Sequence, residues 1–133
     1  KKNPSAFVIG SDQTAEFNNK EVRKPLSIEK ALIQLSELSG QTLNFYSGVC
    51  LKNIQKNIST DAVVKFSVTY KKLSEDQIKN YLKIEDPSQC VGSIKSEGLG
   101  ITLLEEIRCN DPTAVIGLPL IELSQMFEKY GVI

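Results

Sequence analysis

In Val8-Ile9-Gly10-Ser11-Asp12-Gln13-Thr14-Ala15-Glu16-Phe17-Asn18-Asn19-Lys20-Glu21-Val22-Arg23-Lys24-Pro25 an apolar run gives way to small, acidic and turn-forming residues. Ala6 to Ile9 reads as a buried strand and Gly10-Ser11 lets the backbone turn. That predicts Asp12 at the strand's carboxyl end, the usual place for ligands in open α/β sheets. Thr14 to Phe17 and Glu21 to Arg23 flank Asn18-Asn19, a pair suited to the positive φ angles of a tight hairpin turn. Such a hairpin would return Lys24 towards Asp12. A carboxylate and an ammonium converging on one strand end suit a metal-bound polyphosphate.

Outward from this stretch, Ser27 is placed to cap a helix through Ile28, Ala31, Leu32, Leu35 and Leu38, with Gly40 as its stop and Glu29, Lys30, Gln34 and Glu37 facing outward. Thr42 to Leu51 is rich in aromatic and β-branched residues and predicts a long strand broken or bent near Ser47-Gly48. After a polar turn at Lys52 to Asn57, the alternation from Ile58 to Tyr70 fits an antiparallel strand with one wet face. Ser74 with Gln77 forms a capping box for a helix through Ile78, Tyr81 and Leu82 that stops near Glu85-Asp86-Pro87. Ser88 to Gly100 reads as an irregular loop, and loops of that length in compact domains are often functional. Ile101 to Ile107 resembles a buried strand, Asn110-Asp111-Pro112 a turn, and Leu118-Pro119 the entry to a last helix ending before Gly131. The elements predict a single α/β domain with a mixed central sheet, a β-hairpin and flanking helices.

A chain of 133 residues is one domain's worth, and its 16 basic residues balance its 16 acidic ones. No broad basic field exists to hold a nucleic acid polymer or an acidic membrane, so a small molecule is the expected partner. The 3 cysteines, Cys50, Cys90 and Cys109, lack Cys-x-x-Cys spacing and come with 0 histidines, which argues against a zinc site. Cys50 reads as a buried small hydrophobe, which suits a reducing cytosol. No apolar run approaches the roughly 20 residues that span a bilayer. No signal peptide is read, and the chain opens on Lys1 and not on methionine.

Asp12 has two readings: a carboxylate that binds Mg²⁺ through oxygen and orients or deprotonates water, or a turn aspartate bonding nearby amides. Lys24 is either a point charge for a phosphate, stiffened by Pro25, or an exposed loop lysine. Lys95, Ser96 and Glu97 offer a cation, a hydroxyl and an acceptor in a glycine-flanked loop, or simply a solvated charged loop. Asn110 and Asp111 read as turn residues only. Ser36, Ser39 and Ser124 have no histidine to activate them, which excludes a Ser-His-Asp hydrolase. Neither Gly-x-x-x-x-Gly-Lys-Ser nor Gly-x-Gly-x-x-Gly occurs, which removes the common nucleotide cradles.

Ile9-Gly10-Ser11-Asp12-Gln13, Arg23-Lys24-Pro25, Gln34 to Gly40, Tyr46-Ser47-Gly48, Leu73-Ser74 and Ile116-Gly117-Leu118-Pro119-Leu120 occur in an order and spacing that resemble the Maf, or septum-formation, nucleotide pyrophosphatases. The resemblance covers almost the whole chain. It implies an α/β fold of the inosine triphosphatase-like kind, usually homodimeric and cytoplasmic. It also implies hydrolysis of nucleoside triphosphates between the α and β phosphates with a divalent metal, Mg²⁺ or Mn²⁺. By position, Asp12 is similar to the family's catalytic, metal-binding aspartate and Lys24 to its phosphate-contacting lysine; Lys95 is a second candidate for phosphate.

Relatives active on thymidine or uridine triphosphates carry threonine after the aspartate and glutamine in the later loop, where this chain has Gln13 and Glu97. Together with Cys90 to Gly98, that resembles the branch acting on 7-methyl-GTP. Guanine shows two adjacent donors, N1–H and the N2 amine, which a carboxylate accepts together, whereas uracil's alternating edge suits an amide. The alternatives are a dTTP or UTP pyrophosphatase and a non-catalytic nucleotide-binding regulator of cell division. The family also begins with a strand and helix bearing a Ser-x-x-Arg motif, and only about nine residues precede Gly10 here. Residues 1–133 are therefore expected to be one Maf-like domain without that segment, with weak or no activity on their own.

Overall fold

The computed structural model describes residues 4–133; Lys1 to Asn3, with which the expected domain opens, lie outside them. The architecture is α/β, a five-stranded sheet with flanking helices. In chain order the elements are β1 (Val8–Phe17), β2 (Lys20–Val22), α1 (Ile28–Leu38), β3 (Thr42–Asn53), β4 (Ile58–Tyr70), α2 (Glu75–Ile84), β5 (Leu104–Arg108), α3 (Pro112–Ile116) and α4 (Leu120–Lys129). The strands run in the order β2-β1-β3-β4-β5. The sheet is antiparallel where a mixed one was expected, because each short connection is a hairpin and no helix returns a strand in parallel.

The chain divides into two compact units. The first gathers the described residues up to 13 with 46–65 and 109–133; the second holds 14–45 and 66–108. In the first, Val49 and Leu51 of β3 form a core with Leu123 and Met126 of α4, and Phe7, Ala62, Leu118 and Phe127 pack against it. In the second, Ala31, Leu35 and Leu38 are the buried stripe of α1, while Ile78 and Tyr81 are that of α2. Leu43, Phe45, Phe66, Val68 and Tyr70 are buried on the strands, and the Phe45 and Phe66 rings stack with centroids 4.9 Å apart. Each such side chain removed from water stabilises the fold by about 1.5–3 kcal/mol.

Local chemistry accounts for the boundaries. Asn18 and Asn19 have φ of 52° and 62°, both left-handed, as a two-residue hairpin turn requires, and they set the register Ala15↔Val22, Glu16↔Glu21 and Phe17↔Lys20. Ser27 caps α1 by accepting the Lys30 N–H, and Ser74 and Gln77 form the reciprocal capping box of α2. Gly40 supplies the φ of 72° that ends the α1 region.

Several boundaries differ from expectation. β1 does not end at Gly10 but runs through Asp12, and Val8 and Ile9 are 52% and 44% exposed, so the apolar run is not a buried strand end. β3 is continuous across Ser47-Gly48, its odd-numbered residues buried from Leu43 to Asn53. Ser47 occupies a core-facing position and donates its hydroxyl to the Ala114 carbonyl at 2.9 Å, so a polar residue that reads as a break is an internal brace. Ile101 lies in a 3-10 turn, Leu99–Leu103, and the strand begins only at Leu104 with most residues outward. Cys50 is half-buried, and all three cysteines are free.

Candidate active site

In the first unit, Asp12 lies within β1 and is exposed, with Oδ1 accepting the Gln13 N–H at 2.9 Å. Successive strand side chains point to opposite faces, so Asp12 and Gln13 do not share one. The Gln13 amide nitrogen donates to the Ala114 carbonyl at 3.0 Å and lies 3.5 Å from that of Val115 and 3.4 Å from Ser47 Oγ. Two carbonyl acceptors fix which end of the carboxamide is nitrogen. Gln13 thus holds the last turn of α3 against the strands.

Asp111, read from sequence as a turn residue, is 3% exposed and central to this unit. Its Oδ1 accepts from the Thr113 N–H at 3.0 Å and from the Thr113 hydroxyl, while Oδ2 accepts the Ile121 N–H at 3.0 Å. It therefore joins the starts of α3 and α4. Burial pushes its carboxyl up, but the hydrogen bonds from Thr113, Ile121 and Ala114 outweigh this and hold it below the ordinary carboxylate value. The signal available in the sequence was Asp111 before Pro112, an N-cap followed by proline at the first helical position. A recess of about 400 Å³ beside α3 is lined by Ser11, Thr113, Ile116, Gly117, Leu118 and Leu120 and holds none of the expected ionic residues.

The second unit gathers the remaining candidates. The ladder between β1 and β2 ends at Ala15↔Val22, so Lys24 lies beyond it, on a segment that turns at Leu26 with φ of 70°. The Leu26 N–H donates to the Ser88 carbonyl at 2.8 Å, and the Gln34 amide donates to the Arg23 carbonyl at 2.9 Å. Gln34 does not face outward as expected: it also accepts the Ser93 hydroxyl proton, tying the Lys24 segment to the Ser88–Gly100 loop. Lys24, Lys95, Glu97 and Asp86 all act electrostatically on the Cys90 thiol. Burial raises that thiol's pKa first, Glu97 and Asp86 add to the rise, and Lys95 and Lys24 oppose it. Lys24, Lys95 and Glu97 all fall in the second unit and all act on the Cys90 thiol; Asp12, which the hairpin was expected to bring to Lys24, falls in the first unit.

The loop is held from beneath by two phenols. Tyr70 is fully buried and donates to the Gly92 carbonyl at 2.7 Å. Tyr81 donates to the Ser93 carbonyl at 3.2 Å and accepts the Lys95 N–H at 3.0 Å. Burial raises both; Tyr81 is pushed up to about 12, against the lowering effect of the Lys95 N–H, so both remain protonated donors at neutral pH. Lys95 Nζ lies 3.5 Å from Glu85 Oε2. Sequence reading missed Tyr81, Glu85 and Gln34 as supports, since each sits in a helix pattern that explains it without the loop.

Among the described residues no group of three or more carboxylate, cysteine or histidine side chains gathers to hold a metal ion. Asp12 fits a hard divalent cation as one oxygen ligand, which is how magnesium is commonly taken up alongside substrate phosphates and water. No helix among the described residues is long and apolar enough to cross a membrane.

A five-stranded antiparallel sheet with flanking helices defines an α/β domain. The chain belongs to the Maf-like protein family, whose pattern it matches over residues 1–130. It is 47% identical over 130 residues to a 7-methyl-GTP pyrophosphatase of Nitrosococcus oceani, covering 98% of this chain and 65% of the relative. It is 44% identical to a protein of the same name from Aliivibrio fischeri, with coverage of 98% and 67%, and 43% identical to one from Polaromonas sp., with coverage of 97% and 59%. The chain thus spans just under two thirds of the length of the first of these relatives, at 65%.

Proposed function

We propose that the protein to which this chain belongs is a nucleoside triphosphate pyrophosphatase acting on 7-methyl-GTP, releasing the monophosphate and pyrophosphate. The observation that carries this reading is the match to the Maf-like family over residues 1–130, together with 43–47% identity to relatives named as 7-methyl-GTP pyrophosphatases. The names of the relatives support the substrate.

In this reading Lys24 neutralises phosphate charge as the bond from the α phosphorus to the bridging oxygen breaks and pyrophosphate leaves, and Lys95 is a second cation for the same phosphates. Asp12 orients the water whose oxygen bonds to the α phosphorus and receives its proton. Mg²⁺ or Mn²⁺, held by Asp12 with phosphate oxygens, would supply further charge neutralisation. Glu97 accepts the N1–H and N2 amine of the base, and its charge suits a ring left cationic by N7 methylation. Gln13 contributes to the choice of base through α3, which its amide braces. The homodimer and the cytoplasmic setting implied by the family resemblance belong to the same proposal.

The test is pyrophosphate release by the full-length protein from 7-methyl-GTP, GTP, dTTP and UTP, with Asp12→Asn and Glu97→Gln beside it. Asp12→Asn is expected to lower kcat by about 10²-fold or more. Glu97→Gln is expected to damage 7-methyl-GTP turnover more than UTP turnover. Nucleotide binding without release in the unsubstituted protein would favour the non-catalytic regulator, and preferred turnover of dTTP or UTP would move the substrate.

A further inference from the structure

Glu85 has no part in the reaction above, yet it is the residue around which the Glu97 loop is built. It caps the carboxyl end of α2, its N–H donating to the Tyr81 carbonyl at 2.9 Å. Its carboxylate turns to the loop: Oε1 accepts the Leu99 N–H at 3.1 Å and Oε2 lies 3.5 Å from Lys95 Nζ. The side chain is only 17% exposed, and a carboxylate so covered needs such partners. The loop approaches it closely enough that a Cβ on Gly98 would stand 2.4 Å from Oε1, so a side chain there would push the Glu85 carboxylate aside.

Between these contacts the Lys95 carbonyl accepts the N–H groups of both Gly98 and Gly100 at 3.0 Å, closing a turn with Ser96 and Glu97 as its central residues. A Cβ on Gly100 would meet the Lys95 carbonyl oxygen at 2.5 Å, so the turn closes only without one. Tyr81 holds the turn's entry through the Lys95 N–H at 3.0 Å. Tyr81 and Glu85 are four residues apart, hence on one face of the helix end, and clamp the turn at its entry and exit.

We propose that Glu85 is a positioning residue for base selection: by fixing the Lys95–Gly98 turn it holds the Glu97 carboxylate where it accepts two adjacent donors at once. This rests on the reading of Glu97 as the base-contacting residue. Two parallel hydrogen bonds to one planar base edge tolerate little rotation of the carboxylate, whereas a nucleotide lacking that edge has nothing comparable to lose. Loosening the turn therefore acts on selectivity, through KM for the methylated nucleotide, before it acts on the phosphate chemistry.

The experiment compares Glu85→Ala, Glu85→Gln and Glu97→Gln in the full-length protein, measuring kcat and KM for 7-methyl-GTP and UTP, with amide hydrogen exchange at Leu99 as a readout independent of turnover. Glu85→Ala is expected to raise KM for 7-methyl-GTP roughly tenfold with a smaller change in kcat, leave UTP within about twofold, and speed exchange at Leu99. Glu85→Gln keeps an oxygen acceptor for the Leu99 N–H and is expected to restore much of the selectivity. It carries the same test if the alanine variant does not fold. Equal losses on both nucleotides, or unchanged selectivity with faster Leu99 exchange, overturn the role of Glu85 while a Glu97→Gln effect leaves the base reading standing. Unchanged selectivity in Glu97→Gln overturns both.

Discussion

Asp111 shows how much a single side chain decides here. Its carboxylate satisfies donors at the starts of two helices and is almost wholly covered, so Asp111→Ala would strand the Thr113 and Ile121 N–H groups. A loss of about 1–3 kcal/mol is expected in urea denaturation. The depressed pKa gives the sign of the pH dependence. A carboxyl held below its unfolded value contributes stability that is complete above that value, near pH 4, and is lost as pH falls through the folded one. The stability gap between the unsubstituted protein and Asp111→Asn should therefore be widest above about pH 4 and narrow in stronger acid. A gap constant from about pH 7 to pH 3 would show that ionisation of Asp111 contributes nothing.

At the scale of elements, the Ser88–Gly100 loop is ordered by helices whose own sequences give no hint of it. Tyr81 and Glu85 belong to the end of α2 and Gln34 to α1, and each reads from periodicity as either core or surface. The 3-10 turn Val91–Ser93 packs on α1 and carries Gly92 at φ of 74°, where a Cβ would stand 2.7 Å from the Tyr70 hydroxyl and 2.9 Å from Leu43. Gly92→Ala combines left-handed strain with a steric clash and is expected to cost about 2–4 kcal/mol. Gly131→Ala, at φ of 71° with no neighbour within 4 Å, supplies the strain alone and is expected to cost about 1–2 kcal/mol. Equal losses in the two variants, read by urea denaturation, would mean that the Tyr70 and Leu43 contacts yield freely.

For the whole molecule, 16 basic and 16 acidic residues leave no net field, and the cations that matter are local. The chain is expected to pass unretained over an immobilised polyanion such as heparin at roughly 0.15 M salt. Retention would reveal a basic surface that the charge balance conceals. The family assignment belongs to this scale too, because it rests on motifs spread over residues 1–130 and not on any one site.

Features that depend on neighbours along the chain are legible without the structure. The Asn18-Asn19 turn, the caps at Ser27 and Ser74, the long strand to Tyr70 and the last helix follow from short-range dihedral and hydrogen-bond preferences. The ordered motifs likewise pointed to Asp12, Lys24 and Glu97 as candidates. The remaining features depend on partners far away in sequence and emerge only in the folded chain. Ser47 and Gln13 meet carbonyls of α3 some 67 and 101 residues on, partners that no local pattern announces, so Ser47 reads from sequence as a break and the brace that Gln13 makes is invisible. Val8 and Ile9, apolar but exposed, drew the end of β1 too early, since hydrophobicity along a strand does not say whether another layer covers it. Glu85 reads as a helix stop, which it is, and its hold on the Glu97 turn rests on the Leu99 N–H, a partner 14 residues on.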